Sequence, residues 1–293
     1  MMTSKNALML ALALSLGAVG RAQQPDAPAP GGRAGLDEIR KVSDLLGTDI
    51  MNRANEHIAD LEDVVMSPQG EPLYAILGYG GIAGVGEKYT AIPWDMLTPR
   101  FVDRKWAANL DITADALKKA PTFQNSDYRD LTNARWVTSV RQFFGNLPGQ
   151  ARQPVREPEA DVSRALQYVL RASKIIDAPL KGANNESIGE VEDLLFDKDG
   201  RVAFAILGKG GVLNIGEDYI PVPWSALRIK YDREDTSVST AIDMTNEQLR
   251  RAPLVKGDDY ATLLAPGFTD QVYRYFHVDP KGVEPGSPPA ARP

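Results

Sequence analysis

The side chains best suited to chemistry come in pairs. Glu62-Asp63 recurs as Glu192-Asp193, and neighbouring carboxylates can divide the work of general acid and general base. In an extended strand, however, successive side chains face opposite sides. Glu62 then shares a face with Asp60, and Asp63 shares one with Leu61. Two carboxylates so placed cannot close on one substrate, and each is expected to cap a loop amide or pair with a lysine or arginine. Asp197-Lys198-Asp199-Gly200 resembles part of a calcium loop. Setting Gly200 at the sixth loop position puts Leu195 first and Ile206 twelfth, where oxygen ligands are required, so the segment reads as a turn. The chain has two histidines, His57 and His277, and no cysteine. That excludes disulfides and thiolate metal sites. It also argues against a histidine-based zinc site or a Ser-His-Asp triad. Both histidines are expected on the surface, and no catalytic residue, metal or cofactor is expected. A hydrolase working through Glu62 and Glu192 alone is an outlying reading.

Two glycine-rich segments follow. Gly78-Tyr79-Gly80-Gly81 matches Gly208-Lys209-Gly210-Gly211, and each runs on to a further glycine, Gly86 or Gly216. Backbone amides of such loops can cradle phosphate. A dinucleotide fingerprint needs a helix opening at the loop, whereas Glu-x-Tyr and an extended segment come next. The glycines therefore read as wide hairpin connections that use positive φ. Binding of a small ligand or anionic lipid at Tyr79, Gly80, Gly81, Lys209, Gly210 and Gly211 is the alternative. Tyr79, at the loop tip, is expected to be exposed and suited to recognition. Trp94 and Trp224, each preceded by proline, are either anchors for a partner or barrel-end core residues packed on a closing helix. Arg135, Arg141, Tyr273 and Arg274 offer a further contact face.

These matches belong to one long duplication. Residues 43–97 align without a gap on 173–227, with nineteen of fifty-five pairs identical. Past Leu97 the offset grows by two, and the alignment continues through Leu117-x-x-Ala120-Pro121 and Leu249-x-x-Ala252-Pro253 to the aromatic ends Phe144 and Phe276. The two extra residues are placed near Tyr231–Thr240, at a hairpin tip. The period is too long for a solenoid repeat and indicates two copies of one small domain, at 39–147 and 169–279. Residues 148–168 read as a linker, with a short helix over Ala160–Leu170.

Each unit reads as mainly β. Ile58–Met66 and Ser187–Phe196 alternate apolar and polar residues before a purely apolar end, which indicates strands. Ser67–Gly70 and Asp197–Gly200 are turns, and the strands that follow complete hairpins. Thr113 and Thr245 are expected N-caps, and only Thr245, with Gln248, has the capping-box partner. Trp136–Phe144 and Phe268–Phe276 repeat apolar residues at helical spacing and are expected to pack back over each barrel.

At the N-terminus Lys5, an apolar run from Ala7 to Val19 and Gly20-Arg21-Ala22 have the layout of a secretory signal peptide, cut after Ala22. The run is too short to span a bilayer. Residues 1–22 are thus read as a leader, 23–38 as a flexible segment and 280–293 as a disordered tail, and the mature chain as periplasmic or secreted. The net charge of −6 becomes more negative when Lys5 and Arg21 leave with the leader. An acidic chain disfavours nucleic acid.

The succession Ser-x-Leu-Leu-Gly, Leu-Glu-Asp-Val-Val, Ala-Ile-Leu-Gly-x-Gly-Gly, Gly-Glu-Lys-Tyr and Ile-Pro-Trp resembles the PRC-barrel family, the small β-barrel of the photosynthetic reaction-centre H subunit and of a ribosome-maturation factor. The resemblance covers about 41–121 and 171–253. It implies two small β-barrels in tandem, each closed by short C-terminal helices, and a non-catalytic part in holding other proteins. The expected partners are proteins of the bacterial envelope, with no nucleic acid and no membrane span, and the oligomeric state is left open. A reaction-centre-associated role follows only by analogy.

Overall fold

The computed structural model describes residues 39–80, 87–102, 105–123, 128–147, 169–208, 218–232, 237–257 and 259–279. The proposed leader, the linker, the tail and most of both glycine-rich loops lie outside the described residues.

The alternating, then apolar, segments form the longest strands. Seven strands come from the first half: β1 Arg40–Lys41, β2 Asp49–Met51, β3 His57–Met66, β4 Pro72–Tyr79, β5 Lys88–Pro93, β6 Leu97–Val102 and β7 Lys105–Leu110. Eight come from the second: β8 Leu170–Arg171, β9 Pro179–Lys181, β10 Ser187–Phe196, β11 Val202–Gly208, β12 Asp218–Pro223, β13 Leu227–Tyr231, β14 Val238–Ile242 and β15 Val255–Lys256. The first sheet runs β5-β4-β3-β2-β7-β6, and the second runs β12-β11-β10-β9-β14-β13 with β15 added beside β12. Both sheets are antiparallel except where β2 meets β7 and β9 meets β14. The two mainly-β units expected from the duplication are present. The connection between β13 and β14 is the longer one, so the two extra residues fall where charge and small polar residues placed them.

Local chemistry repeats with the sequence. Ser67 Oγ accepts from the amides of Gln69 and Glu71, and Asp197 Oδ1 accepts from those of Asp199 and Arg201. Gly70 and Gly200 close these turns at φ of +81° and +77°. The calcium-like segment is therefore the expected turn. Each long strand carries a bulge at its acidic pair, between Leu61 and Asp63 and between Val191 and Asp193. Thr113 and Thr245 cap short helices at Ala114–Leu117 and Asn246–Leu249, and only Thr245 forms a capping box. The helices Ala134–Gly145 and Pro266–Tyr275 pack back on the sheets, burying Val137, Val140 and Phe144 in one case and Val272 in the other. Leu170, expected in a helix, is a strand residue paired with Met66.

The buried residues of both halves form one continuous core. This explains the apolar ends of β3 and β10. A strand covered on both faces has no polar side to present and reads as an unbroken apolar run.

Candidate functional site

The two barrels meet through an exchange of strands. β1, which opens the first half, adds to β10 of the second, with Arg40 opposite Phe196 and Lys41 opposite Leu195. β8, which opens the second half, adds to β3 of the first, with Leu170 opposite Met66 and Arg171 opposite Val65. The chain then crosses to its own barrel. The Gly47 amide already donates to Leu61, and the Asp177 amide to Val191. Gly47 and Asp177 are equivalent positions, and both hold positive φ, +77° and +65°. Glycine reaches that region freely and aspartate tolerates it.

The aspartate of each acidic pair serves this joint. Asp63 is fully buried. It accepts from the Ser173 amide at 3.1 Å, from Ser173 Oγ at 2.5 Å and from Arg171 Nε at 2.7 Å. Asp193 repeats the arrangement, accepting from the Ser43 amide at 3.1 Å and from Ser43 Oγ at 2.5 Å. Lys41 Nζ stands 3.8 Å from it. Both carboxylates thus do what the strand argument expected, capping an amide and facing a cation. Burial raises Asp193 above the ordinary aspartate value, and the Ser43 hydroxyl opposes that rise.

Trp94 and Trp224 belong to the same joint. Trp224 is buried, and its Nε1 donates to the Pro68 carbonyl at 3.0 Å. Its ring lies so close over Gly70 that a Cβ there would stand 2.9 Å from Nε1. Trp94 is half-buried, packs 5.9 Å from the Phe196 ring, and sits over Gly200. Each indole therefore meets the hairpin of the opposite barrel, a place that neither expectation for these residues anticipated. The Val202 amide donates to the Gly70 carbonyl, and Arg201 pairs with Glu71 at 2.8 Å.

Other candidates fall elsewhere. Tyr79 was expected to be exposed, but it ends β4 with 8% of its surface accessible. Its hydroxyl is buried without a hydrogen-bond partner among the described residues, and burial pushes its pKa up. The β4 ladder extends through Tyr79, which faces Lys88, so the loop tip begins one residue later than the glycines suggest. Gly80 is exposed at φ +72°. Gly81, Lys209, Gly210 and Gly211 lie outside the described residues. Of the helical contact face, Arg135 and Arg274 are exposed. Arg141 turns inward to donate from Nε to Tyr74 Oη at 3.0 Å, and Tyr273 packs 5.6 Å from the Phe204 ring. Both histidines are on the surface. His57 lies 3.0 Å from Asp60 and 3.8 Å from Asp49. This trio, with Asp49 and His57 exposed and Asp60 half-buried, could offer three ligand atoms to a metal, a grouping the sequence did not suggest because β2 and β3 bring it together.

The structure also makes a carboxylate pair that sequence adjacency could not reveal. Glu62 and Glu87 both lie over the bare Cα of Gly78, where a Cβ would be 2.9 Å from one and 2.5 Å from the other. Burial raises the Glu62 pKa, and the Glu87 charge adds to the rise. Glu87 accepts from Tyr89 Oη at 2.7 Å, which pushes Tyr89 up to about 12. A carboxyl whose pKa is raised by folding favours the folded state while protonated, and that contribution is lost as pH rises through the folded value. Glu62→Gln should therefore raise the melting temperature at pH 7, and the gain should shrink as pH falls towards the ordinary value of 4.5. Melting curves of wild type and variant at pH 7 and at about pH 5 check this, and a gain independent of pH would refute it.

Two small mainly-β barrels each accept a strand and a hairpin contact from the other, and together they form a fused pair. The family model of the PRC-barrel domain matches residues 37–117 and 169–237, half of the chain, and the chain belongs to the PRC-barrel family. No curated protein matches it. Among the described residues no helix is long and apolar enough to cross a membrane.

Proposed function

We propose that this chain is a non-catalytic, exported scaffold that binds other proteins in the bacterial envelope. The observation that carries the reading is the joint itself. Each barrel takes up a foreign extended segment by strand addition, fixes it with a buried carboxylate, and seats a tryptophan on a turn. Strand addition is a general mode of peptide recognition, with main-chain bonds giving affinity and side-chain sites giving specificity. Two such barrels held in one chain suit the bridging of two partners, since linkage raises effective concentration. Export rests on the signal-like N-terminus, and its test is the mass of the chain recovered from the envelope fraction. A first residue of Gln23 is expected, and an intact Met1 in the cytoplasm would refute export. Affinity capture with the full chain from an envelope extract should return a defined protein partner. Substrate profiling that found turnover abolished by Glu62→Gln would overturn the non-catalytic reading.

A further inference from the structure

Both exchanged straps carry the same short signature. Arg171-Ala172-Ser173 gives its cation, its serine amide and its serine hydroxyl to the single carboxylate of Asp63. Lys41-Val42-Ser43 presents the same groups to Asp193. Each strand ends at its cation, and the chain then folds over, with Ser173 in the short helix Ala172–Ile175 and Ser43 in a turn, so one carboxylate reads the cation and the serine together. The middle residue points away, and both Val42 and Ala172 are fully buried. An aromatic face completes each receptor, with Arg171 over the Tyr128 ring and Lys41 over that of Tyr260. Each barrel therefore reads cation, apolar residue, serine.

The two receptors hold their straps unequally. Arg171 Nε is 2.7 Å from Asp63, and its guanidinium lies 3.8 Å from the Tyr128 centroid. Lys41 Nζ is 3.8 Å from Asp193 and 5.7 Å from the Tyr260 centroid. The Lys41 side chain is 29% exposed, against 16% for Arg171. A planar guanidinium both forks to a carboxylate and stacks on a ring, which an ammonium does poorly. Each strap contributes only two ladder residues, so these side-chain contacts decide between competing occupants.

We propose that the Asp193–Tyr260 receptor of the second barrel is an exchangeable peptide site, at which the Lys41–Ser43 strap yields to a partner segment bearing Arg-x-Ser with an apolar middle residue, its strand ending at the arginine. The inference rests on the protein-binding reading and names the chemistry of its partner. Arginine at this site makes the contacts that arginine already makes in the sister receptor.

A fluorescein-labelled peptide with the sequence of residues 168–175 tests this by anisotropy against the full chain. Lys41→Ala/Ser43→Ala should bind it at least about tenfold more tightly than wild type, the scale of one charge-assisted hydrogen bond. Ser43→Ala alone should lie between the two and decides the matter if the double variant fails to fold. Adding Asp193→Asn to the weakened strap should abolish binding, as should replacing the peptide's arginine and serine by alanine. Equal binding of native and substituted peptides, or no gain when the strap is weakened in a chain that still melts cooperatively, would overturn the proposal. The two readings fail separately. An envelope partner retained equally by Asp193→Asn would remove the exchangeable site and leave the scaffold. Peptide capture without any envelope partner would do the reverse.

Discussion

Replacing Asp63 by alanine should cost about 3–5 kcal/mol of unfolding free energy, the usual result of deleting one partner of a buried ion pair. The carboxylate is wholly buried and serves Arg171, the Ser173 hydroxyl and two backbone amides. Its removal leaves the Arg171 guanidinium largely buried without that counter-charge and strips the Ser173 amide of its acceptor. Asp193→Ala should cost less, about 1–3 kcal/mol. Its cation is farther away and more exposed, and lysine can swing its ammonium to water. Urea denaturation of both variants gives the comparison. Arg171→Met added to Asp63→Ala should recover part of the loss, since pairwise removal ends the uncompensated burial. Because Asp63 ties one barrel to the strap of the other, Asp63→Ala should also split a shared transition into two. A loss below about 1 kcal/mol, with one transition, would show that the carboxylate does not hold the joint.

The duplication made most of the architecture legible. Strands β3, β4, β10 and β11, their turns, both threonine caps and the closing helices all follow from patterns within a few residues. Those patterns record local backbone preference and which face is covered. The strap exchange left no such mark. Ile39–Ser43 precedes the first barrel in the chain and belongs to the second in space, and β1 and β8 are only two residues long. One trace was available: Ser43 and Ser173 are identical, and a basic residue stands two positions before each. The signature recurs, but its acceptor lies 150 residues away in one case and 110 in the other. The tryptophans were hidden for the same reason. Pro-Trp fixes where the indole leaves the strand, and only the assembled pair shows that it lands on a glycine of the opposite hairpin. Tyr79 was misplaced because the glycines around it signal a loop, while its ladder to Lys88 continues the strand.

Trp224→Ala should be as damaging as the loss of Asp63, at about 3–5 kcal/mol, the range for emptying a buried aromatic site. The variant also leaves the Pro68 carbonyl without its indole donor. Trp94→Ala should cost about 1–2 kcal/mol, because that ring is only half-buried and, among the described residues, no hydrogen bond of its indole N–H accompanies its tilted contact with Phe196. The glycines under the rings give a sharper test than either deletion. Gly70→Ala carries two penalties. An alanine at φ +81° is strained by about 1–2 kcal/mol, and its Cβ would stand 2.9 Å from Trp224 Nε1. In the Trp224→Ala background the steric part vanishes and the backbone part stays, so the two substitutions should be strongly non-additive. At Gly200 the Cβ would be 3.3 Å from Trp94 Nε1, and a half-exposed ring can shift by the few tenths of an ångström required. Gly200→Ala should then cost nearly the same with or without Trp94. Thermal or urea melts of the two double-mutant cycles measure this asymmetry. Equal coupling at both sites would mean that the halves dock through hairpin and strand contacts alone, with the indoles adding only apolar surface.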